Sequence, residues 1–141
     1  MTKPVETLAT TARDIAELRG APPLIIVDYL QRTPAPAEMR IKDIRERVAY
    51  IAGQLQVYLA RDMGCPVLAM SSIGRAAYKL QDATLEDRLA AFKEAGELEY
   101  TAYTSLLLYG LSDDLQGRLN LRPGMIDSYK PITLDLVKNR G

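Results

Sequence analysis

The chain has no histidine, no tryptophan, one cysteine and one phenylalanine among its 141 residues. Without histidine there is no Ser-His or Cys-His pair for nucleophilic catalysis and no imidazole–thiolate zinc site. The lone Cys65 excludes an internal disulfide framework and fits a reducing compartment. Neither sign of charge is in excess, with Lys+Arg and Asp+Glu at 18 each. Any nucleic-acid binding must therefore come from local basic loops and not from bulk charge. No apolar run approaches membrane-spanning length, and the residues after Met1 lack a secretory apolar core, so a cytoplasmic protein with no membrane partner is expected. No glycine is followed by lysine. The phosphate-cradling loop Gly-x-x-x-x-Gly-Lys-[Ser/Thr] is thus absent, not degenerate.

What is there reads as one ordinary globular domain, with hydrophobic residues at 48% and charged residues at 26%. Its organising stretch is Leu24-Ile25-Ile26-Val27-Asp28-Tyr29-Leu30-Gln31, four aliphatics behind Pro22-Pro23 that run into a carboxylate. An unbroken aliphatic run bounded by a turn signal suits a strand buried on both faces. A carboxylate at the carboxyl end of such a strand lies where open α/β sheets bind ligands. A core strand ending in a turn-forming aspartate is the plain alternative.

Around this strand the periodicity predicts two helices and three more strands. Val5, Leu8, Ala12, Ile15 and Leu18 recur at helical spacing over residues 4–19, and Gly20 and Pro22 stop that helix. Pro34 and Pro36 predict an extended loop. A long helix is expected from Glu38 to Met63, with Ile41, Ile44, Val48, Ile51, Leu55 and Tyr58 facing the core. Its first turns carry Arg40, Lys42, Arg45 and Arg47, either as a solvated face or as contacts to a phosphate backbone. Strands follow at residues 66–70 and 105–109, and a half-buried edge strand at 132–137. The residues between 110 and 131 read as a polar connection.

Four strings in order carry a family resemblance. Leu24–Gln31 closely resembles the Walker B strand of DnaB-type replicative helicases, hexameric motors with a RecA-like core. Pro66–Met70 followed by Ser71-Ser72-Ile73-Gly74-Arg75 is similar to their sensor strand, with Ser72 and Gly74 where the family has Gln and Asn. Phe92-Lys93-Glu94-Ala95-Gly96-Glu97-Leu98-Glu99 resembles a further signature, after which Tyr100 and Tyr103 depart from the family's aspartates. Lys138-Asn139-Arg140-Gly141 resembles the segment whose Lys and Arg reach a neighbouring subunit's nucleotide as a finger.

The resemblance implies a RecA-like P-loop NTPase core, a three-layer α/β/α fold with a mainly parallel sheet, truncated and lacking the P-loop strand. It implies ATP and Mg²⁺ as cofactors of the parent protein, with none expected for the isolated chain. Asp28 would meet the nucleotide-borne Mg²⁺, and Gln31 and Ser72 would lie at the nucleotide. Arg140, Lys138 and Glu94 would be catalytic, and Arg75, Lys79 and Arg88 would contact single-stranded DNA in a ring hexamer. A non-catalytic RecA-like scaffold or interaction module, or a fragment of another RecA-like ATPase, are the alternatives. The missing P-loop strand would leave unpaired edges on the strands at 66–70 and 105–109. Residues 24–28, 66–70, 105–109 and 132–137 are then expected to close into one four-stranded sheet, and the chain to self-associate.

Overall fold

A computed structural model describes residues 4–72, 84, 86–87, 98–110, 117–119 and 132–140. Val5, Ala9 and Ala12 fall on one side of helix α1 (Val5–Arg19) and are buried. The rest of the expected stripe is not covered: Ile15 is 41% exposed and Leu18 81%. The helix packs by its first turns, through small residues that let it approach closely. Gly20 ends it in the left-handed conformation (φ 72°), its N–H donating to the carbonyl of Ala16.

The second helix begins later than its apolar spacing predicts. Ala37–Met39 forms a separate 3₁₀ turn and Arg40 adopts a left-handed backbone, so helix α2 spans Ile44–Gln54. Asp43 is its N-cap, with one carboxylate oxygen accepting from the N–H groups of Arg45 and Glu46. Those two bonds satisfy orphan donors of the first turn and fix the start there. From Leu55 to Arg61 the helix widens into π geometry. The wider turn leaves Leu59 buried beneath Leu55 and swings Tyr58 outward to 44% exposure, against the expected stripe.

Strands β1 (Ile25–Val27) and β2 (Val67–Ala69) pair in parallel, with Ile25, Ile26 and Val27 opposite Val67, Leu68 and Ala69. Ile25 and Val27 face inward and join Leu30, Val48, Ile51, Leu55, Leu59 and Cys65 in the core, with α1 alongside. Burial pushes the Cys65 thiol up from its usual range. The opposite face carries Leu24, Ile26, Leu68 and Met70, all exposed. A strand buried on both faces was expected; among the described residues only one face of β1 is covered.

After a short helix, α3 (Leu98–Thr101), strands β3 (Thr104–Gly110) and β4 (Ile132–Asn139) form an antiparallel pair. The four expected strands are therefore all present, but they make two sheets of two strands, not one of four. The direct pairing of 66–70 with 105–109 does not occur. In the β3–β4 register Ser105 faces Lys138 while Leu106 faces Leu136, so Val137 is the extra residue of a β-bulge. Among the described residues no helix is long and apolar enough to cross a membrane.

Two expectations follow from the α2 region. Leu59→Ala removes a fully buried side chain and should destabilise the fold by about 2–5 kcal/mol, read from urea unfolding; a smaller loss would mean that the π segment collapses onto the gap. For Asp43, the amides of Glu46 and then Arg45 hold the carboxylate below its usual range. A depressed folded pKa gives stability that is present above the ordinary carboxylate range and lost as pH falls through the folded value. Asn caps as well as Asp but does not titrate. Asp43→Asn should therefore match the wild type near neutrality and soften the acid limb of melting temperature against pH. An unaltered acid limb would contradict the assignment.

Candidate functional site

The parallel register of β1 and β2 brings the ends of both strands to the same edge of the small sheet. Beyond the strands the ladder continues through one residue: Met70 donates its N–H to Val27 O and accepts at its own carbonyl from Leu30 N–H, both 2.9 Å. Asp28 and Tyr29 lie between those two bonds and so step out of the ladder; the peptide between them is cis. Asp28 is exposed and Tyr29 half-buried, while Leu30 is again buried at 2% exposure. A core residue on each side thus presents a carboxylate to solvent at the strand end.

Leu30 opens a 3₁₀ turn, Leu30–Arg32, that carries Gln31 toward the end of β2. The Gln31 carboxamide donates through Nε2 to Ser71 Oγ (2.8 Å) and to the Ser72 carbonyl (2.9 Å). Its Oε1 accepts from the Ser72 N–H at 3.2 Å. Ser72 fixes the orientation of the amide, since its carbonyl can only accept and its N–H can only donate. From the other side, Arg47 of α2 donates through Nη2 to the Gln31 carbonyl at 3.0 Å. The Arg47 Nε is buried and has no hydrogen-bond partner. Asp28, Gln31, Ser71 and Ser72 are therefore brought together. Arg47 joins them, although the sequence offered for it only a solvated face or a phosphate contact. Arg40, Lys42 and Arg45 are exposed, as either of those readings requires.

Lys138 and Arg140 lie on the other sheet. Without the bulge Lys138 would share a face with Leu134 and Leu136. The extra residue Val137 turns it to the side of Thr133 and Asp135, where it is half-buried. Arg140 is exposed just beyond β4, its N–H donating to the carbonyl of Tyr103 at 3.0 Å. No pattern in the sequence marks that bulge. Tyr103 also borders a shallow hollow with Gln56, Val57, Ala60 and Arg61. At about 190 Å³ the hollow is below the size that encloses a nucleotide-sized ligand. Arg75, Lys79, Arg88 and Glu94 lie outside the described residues.

An exposed carboxylate beside a strand end can ligate a cation, and serine hydroxyls beside it can meet phosphate oxygens. Among the described residues no group of three or more His, Cys, Asp or Glu side chains could hold a metal by itself. A single carboxylate such as Asp28 could supply only one ligand to a cation, the others coming from elsewhere. Compared with known proteins, residues 2–140 match the family described as DnaB-like helicase C terminal domain. No curated protein matches the chain.

Proposed function

Since the chain belongs to the family of DnaB-like helicase C-terminal domains, we propose that it forms the Walker B-to-finger part of an ATP-driven replicative DNA helicase motor. The observation that supports this most is the common edge of β1 and β2, where Asp28, Gln31 and Ser71–Ser72 converge. On this reading the fold is the RecA-like core, and Asp28 ligates the Mg²⁺ of bound ATP. Such an ion neutralises charge on the β- and γ-phosphates during hydrolysis. Ser72 faces the γ-phosphate side, Glu94 takes part in catalysis, and Lys138 and Arg140 reach the nucleotide of the next subunit in a ring hexamer. Arginine suits that task because it stays charged and offers paired donors to phosphate oxygens. Arg75, Lys79 and Arg88 grip single-stranded DNA through its phosphates, since a helicase must ignore base sequence. The site of action is the cytoplasm.

These 141 residues contain no Gly-Lys pair, so a phosphate cradle has to come from other sequence. That same absence favours a second reading, a non-catalytic scaffold or interaction module that keeps the RecA-like frame.

The 141-residue chain alone is expected neither to hydrolyse ATP nor to bind it appreciably; micromolar affinity in calorimetry, abolished by Asp28→Asn, would overturn this. Where these residues are joined to a P-loop, Asp28→Asn should cripple Mg²⁺-dependent hydrolysis and leave the fold intact. Hydrolysis that survives the substitution would remove Asp28 from the metal site, and a wild-type protein that does not hydrolyse ATP would select the scaffold reading. Arg140→Ala in the same protein should lower turnover by about 10³-fold. Wild-type subunits mixed in should rescue part of that loss. Unchanged turnover would make Arg140 a surface charge and nothing more.

A further inference from the structure

Every polar group that Gln31 offers through its carboxamide is spent inside the protein. Two donors go to Ser71 Oγ and the Ser72 carbonyl, and the acceptor takes the Ser72 N–H. Its backbone carbonyl is held by Arg47. One residue thus ties three elements that the chain separates by up to 41 residues: its side chain joins the turn after β1 to the end of β2, and its backbone carbonyl joins that turn to α2. We propose that Gln31 is a positioning residue, a clasp that fixes Ser71–Ser72 relative to the Asp28 turn, with Arg47 as its anchor on α2. The inference deepens the proposed function, since what the clasp would align are the metal-side carboxylate and the phosphate-side serine.

The chemistry of the clasp allows few substitutes. It needs a donor and an acceptor side by side, at the reach of a two-methylene stem, facing the N–H and C=O of one residue. Alanine supplies neither. Glutamate keeps the acceptor for the Ser72 N–H but sets an anionic oxygen against the Ser72 carbonyl, where a donor is needed. Protonation returns one O–H donor to that position. A substitution that merely disturbed packing would have no reason to be repaired by acid.

Amide hydrogen exchange on the 141-residue chain, followed residue by residue by NMR, tests this without nucleotide. Protection of the Ser72 amide is compared with that of core amides on Ile51 and Leu59, which report whether the variant still folds. In Gln31→Ala, Ser72 should exchange about tenfold faster, as expected for losing its hydrogen bonds, while the core amides keep their protection. In Gln31→Glu, Ser72 protection should fall relative to wild type at pH 7. It should recover as pH drops through the glutamate range, at or below about 4.3 because the nearby Arg47 cation favours the charged form. Arg47→Ala should loosen Ser72 although Arg47 bonds to Gln31 and not to Ser72, and Arg47→Lys, which keeps a donor, should restore most of the protection. Equal Ser72 exchange in wild type and Gln31→Ala would overturn the clasp, as would a Gln31→Glu deficit that acid does not repair. If Ser72 loosens as expected while Asp28→Asn leaves hydrolysis untouched in a P-loop-bearing protein, the functional reading fails and the clasp stands.

Discussion

The short parallel pairing of Ile25–Val27 with Val67–Ala69 is the constraint on which the other elements depend. Parallel neighbours cannot be joined by a tight turn, so the chain must cross over between them. That crossover is α2 with its π extension, and it returns across the face that carries Ile25 and Val27. Backbone bonds in such a pair contribute about 0.5–1.5 kcal/mol each. Burying an aliphatic side chain contributes about 1.5–3 kcal/mol, and Leu30, Val48, Ile51, Leu55 and Leu59 are all at 3% exposure or less. Packing supplies the larger share of the stability. The backbone pairing decides direction and register, and therefore that Asp28 and Ser71 emerge at the same edge.

The outer faces follow different physics. Parallel strands in α/β proteins are normally covered on both sides, yet Leu24, Ile26, Leu68 and Met70 lie open on one side of β1–β2. The antiparallel pair repeats the pattern: Leu106 faces Leu136 and Leu108 faces Leu134 across the strands, and all four are exposed. Its other face carries Ser105, Thr133 and Asp135, with Tyr109 donating a long bond to Asp135 at 3.4 Å. Aliphatic ladders of this kind are what a sheet presents to a covering layer, and they rarely stay bare on a soluble monomer.

Much of this was legible in the residues. Aliphatic runs located three strands, the alternation of Ile132, Leu134 and Leu136 with polar residues located the fourth, and the spacing of Val5, Leu8 and Ala12 located α1. Apolar spacing alone places the start of α2 too early, because it takes no account of capping. Asp43 followed three residues later by Glu46 is the better signal, since the cap decides where orphan amides are satisfied. Which face of β1 is covered could not be read, because a continuous aliphatic run looks the same whether one layer or two pack on it. The π stretch and the Val137 bulge left no mark either, since each depends on tertiary fit. At the site, the family resemblance set Asp28, Gln31 and Ser72 together, and the structure bonds Gln31 to Ser71 and Ser72 beside the Asp28 turn. Arg47 was hidden among four neighbouring cations, three of which are exposed.

How the Asp28 edge is built bears on what it could recognise. Met70 bonds to both Val27 and Leu30, so the two residues between them are the only part of this segment released from the ladder. Leu30 returns at once to the core, so the backbone is held on either side of Asp28 while its carboxylate lies in solvent. A carboxylate in that position stays solvated and avoids the desolvation cost that burial would impose. One such group is a poor trap for free Mg²⁺, which dehydrates reluctantly and favours sites completed by phosphate. On the proposed reading, an edge with one carboxylate and a clasped pair of serines would favour a cation that arrives with phosphate oxygens already attached over one that arrives alone.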